Sequence, residues 1–95
     1  MIKIVFKSKL KPDILEEYLK IITELITETR KEDGCISYDL FEDVKDPLIL
    51  TLIEEWRDEE AIERHNNTGH FTRIVPELRK FREYGEMNLY KKLPY

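Results

Sequence analysis

Cysteine occurs once in the 95 residues, at Cys35, so no internal disulfide can form. Glycine is scarce as well. Gly34, Gly69 and Gly85 stand apart and make no phosphate-cradling loop, which leaves nucleotide and flavin cofactors without a visible seat. No apolar run approaches the ~20 residues that a membrane helix needs. The opening Met1-Ile2-Lys3-Ile4-Val5-Phe6-Lys7 interrupts its apolar residues with lysine too often for a signal-peptide core. Surplus positive charge is also missing: 16 Lys and Arg stand against 20 Asp and Glu, for a net charge of −4. Phosphate backbones need clustered cations, so nucleic acid is not an expected partner. These absences predict a soluble, cytoplasmic protein that does not enter membranes. Alanine occurs once, glutamine never, and 38% of the residues are charged, a bias reported for proteins of hot environments.

What remains is hydrophobic periodicity. A chain of 95 residues predicts one domain, residues 1–95, with a small core that association with a second copy would enlarge. Ile2, Ile4 and Phe6 alternate with Lys3, Val5 and Lys7 as in a strand with one face buried. Pro12 suits the first turn of a helix whose stripe is Ile14, Leu15, Tyr18, Leu19, Ile22, Leu25 and Ile26. Arg30 and Lys31 would complement the end of that helix and Gly34 would supply its left-handed stop.

Alternation resumes from Cys35 to Asp43, with Ile36, Tyr38 and Leu40 on one face, and Asp46-Pro47 closes a turn. Leu48 to Trp56 is the most apolar and β-branched stretch, which predicts a central strand covered on both faces. Asp58 should cap a short helix running to Arg64 or His65. Thr68 should cap a third helix, carrying Phe71, Ile74, Val75, Leu78 and Phe81, that Pro76 kinks or splits. Gly85 would end that region ahead of a last strand through Met87 and Leu89. The order βαββααβ is a ferredoxin-like α+β unit, with helices over one sheet face and an open apolar face available for association.

The side chains that can carry chemistry cluster between Glu54 and Phe71. His65 falls where the short helix ends, and an imidazole titrating near ~6.5 suits proton abstraction at neutral pH. Complementing the helix dipole is its plainer role. His70 follows the Thr68 cap, where a positive helix end favours a neutral ring able to donate to a substrate oxygen. An exposed histidine without a role fits that place equally. Glu54 leaves its strand on the same face as Trp56, Leu50 and Leu52, so burial should raise its pKa and make it a proton carrier or the partner of a histidine. A structural ion pair is the competing reading. Tyr38, Trp56 and Phe71 are candidates for an aromatic wall around a flat ligand, or simply core, and Thr68 is grouped with them as a substrate-binding candidate or a plain cap. His-x4-His across a helix boundary is not a chelating spacing, so no metal is expected. Cys35, with no histidine near it in sequence, reads as a small buried residue or a nucleophile.

Taken together, Asp33-Gly34-Cys35-x-x-Tyr38, Glu54-x-Trp56 and His65-x-x-Thr68-x-His70-Phe71 resemble the antibiotic biosynthesis monooxygenase family over residues 1 to 92. The branch most similar is that of the small quinol monooxygenases, whose relatives include isomerases of phosphorylated autoinducer sugars. The resemblance implies a dimeric α/β barrel formed by two copies. It also implies one of three activities, because the scaffold hosts several chemistries. In the first, a cofactor-independent monooxygenase oxidises a small aromatic hydroquinone or phenol with O2, with His65 as base, Glu54 orienting it and His70 donating a hydrogen bond. In the second, the same base isomerises a phosphorylated keto-sugar, with Arg64 and Arg73 as candidates to hold the phosphate. In the third, the dimer binds a small molecule without catalysis. Haem-degrading relatives use an Asn, a Trp and a His, where this chain has Lys7, His65 and Val75, so haem degradation is not expected.

Overall fold

The computed structural model describes residues 1–95, in the order β1 Ile2–Leu10, α1 Leu15–Thr29, β2 Cys35–Glu42, β3 Ile49–Trp56, α2 Glu59–Asn66, α3 Gly69–Arg79 and β4 Arg82–Lys91. The four strands form one antiparallel sheet ordered β2-β3-β1-β4. This is the ferredoxin-like α+β arrangement. None of the helices is long and apolar enough to cross a membrane.

The strand pleat sorts residues onto two faces. Ile4, Phe6 and Ser8 lie opposite Glu54, Leu52 and Leu50, and this face is covered by Tyr18, Ile22 and Leu25 of α1, Ala61 of α2, and Ile74 and Leu78 of α3. On the reverse face Lys3, Val5 and Lys7 lie opposite Glu55, Ile53 and Thr51, and none of these is buried. β3 is therefore covered on one face only, contrary to the expectation from its apolar content. Leu50, Leu52, Glu54 and Trp56 are buried and the residues between them are not, because all three helices lie on one side.

Local sterics explain the other departures. Pro12 precedes α1 rather than opening it: it turns the chain with Asp13, whose φ of 64° is a left-handed value that an aspartate tolerates. The α1 helix ends at Thr29 with Arg30 still right-handed, so Gly34 is not its stop but the turn into β2. Arg30 reaches β2 instead, donating to the Tyr38 carbonyl at 3.1 Å and pairing with Asp39. A bulge between Cys35 and Ser37 turns Ile36 outward, leaving it 54% exposed. Pro76 does not split α3, which runs unbroken to Arg79; one hydrogen bond is lost while Ile74 and Leu78 anchor the helix on either side. Gly85 lies inside β4 opposite Ser8, where a Cβ would meet the Phe6 ring at 3.2 Å.

Candidate active site

Three chain turns converge beside the buried end of β3. Glu32 lies between α1 and β2, His65 in the last turn of α2, and His70 in the first turn of α3. Gly34 makes the convergence possible. Its φ is +92°, and a Cβ there would lie 2.5 Å from the Ala61 Cβ, so only glycine lets α2 settle onto this turn. The Gly34 carbonyl accepts from the Arg57 N–H at 2.9 Å, tying the turn to the end of β3. Asp58 caps α2 by accepting from the Ala61 N–H at 2.8 Å. Thr68 caps α3 by accepting from the Phe71 N–H at 3.3 Å, while its hydroxyl donates to the His65 carbonyl at 2.8 Å.

One oxygen of Glu32 organises both histidines. Its Oε2 lies 2.7 Å from His65 Nδ1 and 2.7 Å from His70 Nε2. An ionised carboxylate only accepts, so both rings donate to it through these nitrogens. Glu54, expected to orient His65, instead accepts from the Trp56 indole N–H at 2.9 Å. The two share one face of β3, and a buried indole N–H takes the nearest acceptor.

A cavity of about 260 Å³ lies between the sheet and the helices, and 13 of its 19 lining residues are hydrophobic. Of the candidates from the sequence, Tyr38, Glu54, His65 and Phe71 line it. Trp56 is fully buried behind His65, its ring 4.6 Å from the imidazole, while Thr68 and His70 stand outside the lining. Arg64 does not line the cavity, and Arg73 is paired with Glu24. Arg79 and Arg82 line it instead. Arg79 was open to discovery, since Phe71, Val75, Leu78 and Arg79 have the spacing of one helix face. Glu32 was not, because 33 residues separate it from His65.

Aromatic side chains enclose the His65 ring as much as they wall the cavity: Tyr38 lies 5.7 Å away and Phe71 4.9 Å, both edge-on. Burial in this cage lowers the His65 pKa, against the opposing pull of Glu32, so the ring is neutral and basic at pH 7. Burial, with a contribution from the Glu32 charge, raises Glu54 to about 7, which makes it a proton donor or acceptor at neutral pH. The Tyr38 phenol is pushed upward by burial and then by Glu54, so it keeps its proton at neutral pH. Burial lifts Cys35 to about 11, and a neutral thiol there is no nucleophile. The donor atoms of Glu32, His65 and His70 lie within 4.8 Å of one another, a mixed set that can also hold a divalent transition metal. What the arrangement offers is a base, Nε2 of His65, with its second nitrogen fixed, facing an apolar space beside a protonatable carboxyl.

Four antiparallel strands with three helices over one face, enclosing an apolar cavity, define the class as a ferredoxin-like α+β domain. Residues 1–77 match the family model for antibiotic biosynthesis monooxygenase, and the chain belongs to that family. YcnE of Bacillus subtilis is 40% identical over 67 residues, 70% of each chain. A crystal structure of a conserved protein from Methanosarcina mazei Go1 superposes with a TM-score of 0.94 at 38% identity, covering 97% of this chain and 92% of that one. A crystal structure described as an antibiotic biosynthesis monooxygenase gives 0.93 at 38% identity, covering 99% and 100%.

Proposed function

We propose that the protein is a cofactor-independent monooxygenase that oxidises a small aromatic hydroquinone or phenol with O2. The observation that carries this reading is the fixed tautomer of His65: Nδ1 is held by Glu32 at 2.7 Å while the ring lines an apolar cavity. Nε2 takes the phenolic proton, and the resulting phenolate is electron-rich enough to pass one electron to O2. The aryloxyl radical and superoxide combine at a ring carbon bearing hydrogen, giving a peroxide that is protonated. Loss of water then leaves a carbonyl on the ring. One oxygen atom enters the product and one leaves as water, with all electrons drawn from the substrate. Glu54 supplies the proton that the departing hydroxide needs. Tyr38 and Phe71 pack against the ring, and an apolar space keeps the phenolate reactive.

Glu32 and His70 are positioning residues in this reading, as Trp56 is through its contacts with Glu54 and His65. Two copies pair through the reverse sheet face, where Phe41 and Tyr84 are each 50% exposed and Val5 lies opposite Ile53 on the two central strands. Such a pairing supplies the apolar burial that a chain this short lacks.

Oxygen uptake over a panel of hydroquinones and naphthols tests the reaction, with His65→Ala protein as the blank for spontaneous oxidation. Loss of the base should lower the rate by about 10²–10⁴-fold. Uptake that is equal in both proteins across the panel would sink the oxygenase reading.

A further inference from the structure

The arginines divide into two groups. Arg30, Arg57 and Arg73 each pair with a carboxylate on the surface. Arg64, Arg79 and Arg82 pair with none, and of these the exposed Arg79 and the half-buried Arg82 line the cavity. Arg79 ends α3 and Arg82 begins β4, so the short turn between these elements brings two guanidinium groups to one place. Arg82 lies over the Phe6 ring, 4.8 Å from its centroid. Beside them the buried hydroxyl-bearing side chains of Ser8 and Tyr18 also line the space. Burial, and then the Arg79 charge, pull Arg82 below its ordinary value, and no carboxylate offsets either effect. Two neighbouring guanidinium groups at the mouth of an apolar cavity, one exposed and one half-buried, neither with a carboxylate partner, are a position that an anion would complete.

We infer that Arg79 and Arg82 form an anion subsite at the end of the cavity away from His65, and that the ligand is an aromatic ring carrying a carboxylate arm. As a statement about substrate this rests on the oxygenase reading; as a binding site it stands on the cavity and its charges. The spacing follows from α3. Phe71 touches the His65 ring, and eight residues later Arg79 lies about 12 Å further along the axis at 1.5 Å per residue. The acid therefore sits about 10 Å from the atom facing His65, with Val75 and Leu78 flanking the apolar middle. The hydrophobic lining disfavours a polyhydroxylated sugar phosphate, although phosphate alone would suit the arginine forks.

Naphthylbutanoate and naphthylbutanol, which differ only in the acid and carry no phenolic hydroxyl, separate binding from oxygen uptake. By calorimetry the acid should bind at least about tenfold more tightly than the alcohol. In the Arg79→Gln/Arg82→Gln variant the acid should fall to the alcohol's affinity within about twofold, with the alcohol unchanged. Should that variant not fold, raising the salt concentration must weaken the acid and spare the alcohol in the unmodified protein. Equal binding of the two compounds, no binding of either, a preference that survives the double substitution, or displacement of the acid by a pentose phosphate at lower concentration would each overturn the subsite. Loss of oxygen uptake in His65→Ala bears on the reaction and leaves this comparison untouched.

Discussion

Glu54 lines the cavity while Glu32 stands behind His65, and the two differ in what meets their carboxyl groups. Glu32, on the turn after α1, accepts from His65 and His70, each at 2.7 Å. Glu54, in the middle of the sheet, has only the Trp56 indole of its own strand. Burial therefore dominates at Glu54 and drives it to about 7. A strand residue finds as partners what its own pleat and neighbouring strands offer, whereas a turn at which three helices meet can gather groups from distant sequence. The same residue type thus becomes a positioning anion in one place and a proton source in the other.

Replacing each glutamate by glutamine is the sharpest way to break that comparison. Glu32→Gln can keep an oxygen where the two imidazole N–H groups converge, but it removes the negative charge that would stabilise the His65 imidazolium once the ring has taken the substrate proton. The kcat for oxygen uptake should fall by about 10²–10⁴-fold with KM little changed. Glu54→Gln keeps an oxygen for the indole and should cost about tenfold or less. Equal losses in the two variants would erase the distinction between positioning and proton supply.

Stability against pH separates the pair next. Glu54 binds its proton more tightly folded than unfolded, because its value rises from 4.5 to about 7. Stability is therefore full below pH 4.5 and declines as pH rises through 7, by about 3 kcal/mol in all. Glutamine never ionises, so denaturant melts of Glu54→Gln should lose this decline between pH 4.5 and about 7. His65 works in the other direction: its lowered value means that the unfolded chain takes up the proton first as pH drops below 6.5. That acid-side loss should persist in the Glu54 variant. An unchanged decline across that window would show that some other group titrates.

Gly34→Ala acts on the turn that carries Glu32. The φ of +92° and the 2.5 Å approach to Ala61 cannot both be kept with a Cβ present. Thermal melts should show a loss of about 1–3 kcal/mol, accompanied by a fall in oxygen uptake as Glu32 moves off the histidines. A variant that is less stable but fully active would mean that the Glu32 contact is dispensable.

Much of this was legible from local pattern. Alternation at Ile2–Lys7, the Asp58 and Thr68 caps and the stripe from Tyr18 to Leu25 each act within a few residues, and the elements they foretell are present. The reach of Pro12, Gly34, Pro76 and Gly85 was not legible, since a turn residue shows that the chain bends but not which neighbour it must avoid. Gly34 illustrates this: its reason is Ala61, on another element. Within the site, Glu54 and Trp56 were readable as a pair because the pleat repeats every two residues. The bond from Glu32 to His65 depends on how α2 packs against the turn before β2, which no spacing encodes.

Arg73 marks the smallest effect and the cleanest control. Its charge lies only six residues before Arg79, and from sequence the two look interchangeable as anion holders. The helix surface separates them. Residues six apart on a 3.6-residue period face well away from one another: Arg73 is paired with Glu24 on the surface, while Arg79, exposed as well, borders the cavity and has no carboxylate partner. Exposed ion pairs contribute little to stability. Arg73→Gln should therefore leave the melting temperature, oxygen uptake and the preference for an aromatic acid where they are in the unmodified protein. A loss of acid binding in this variant, matching that of Arg79→Gln, would mean that the cation is felt through the general field of α3 rather than through contact in the cavity, and the distinction between the two ends of the cavity would then lose its structural basis.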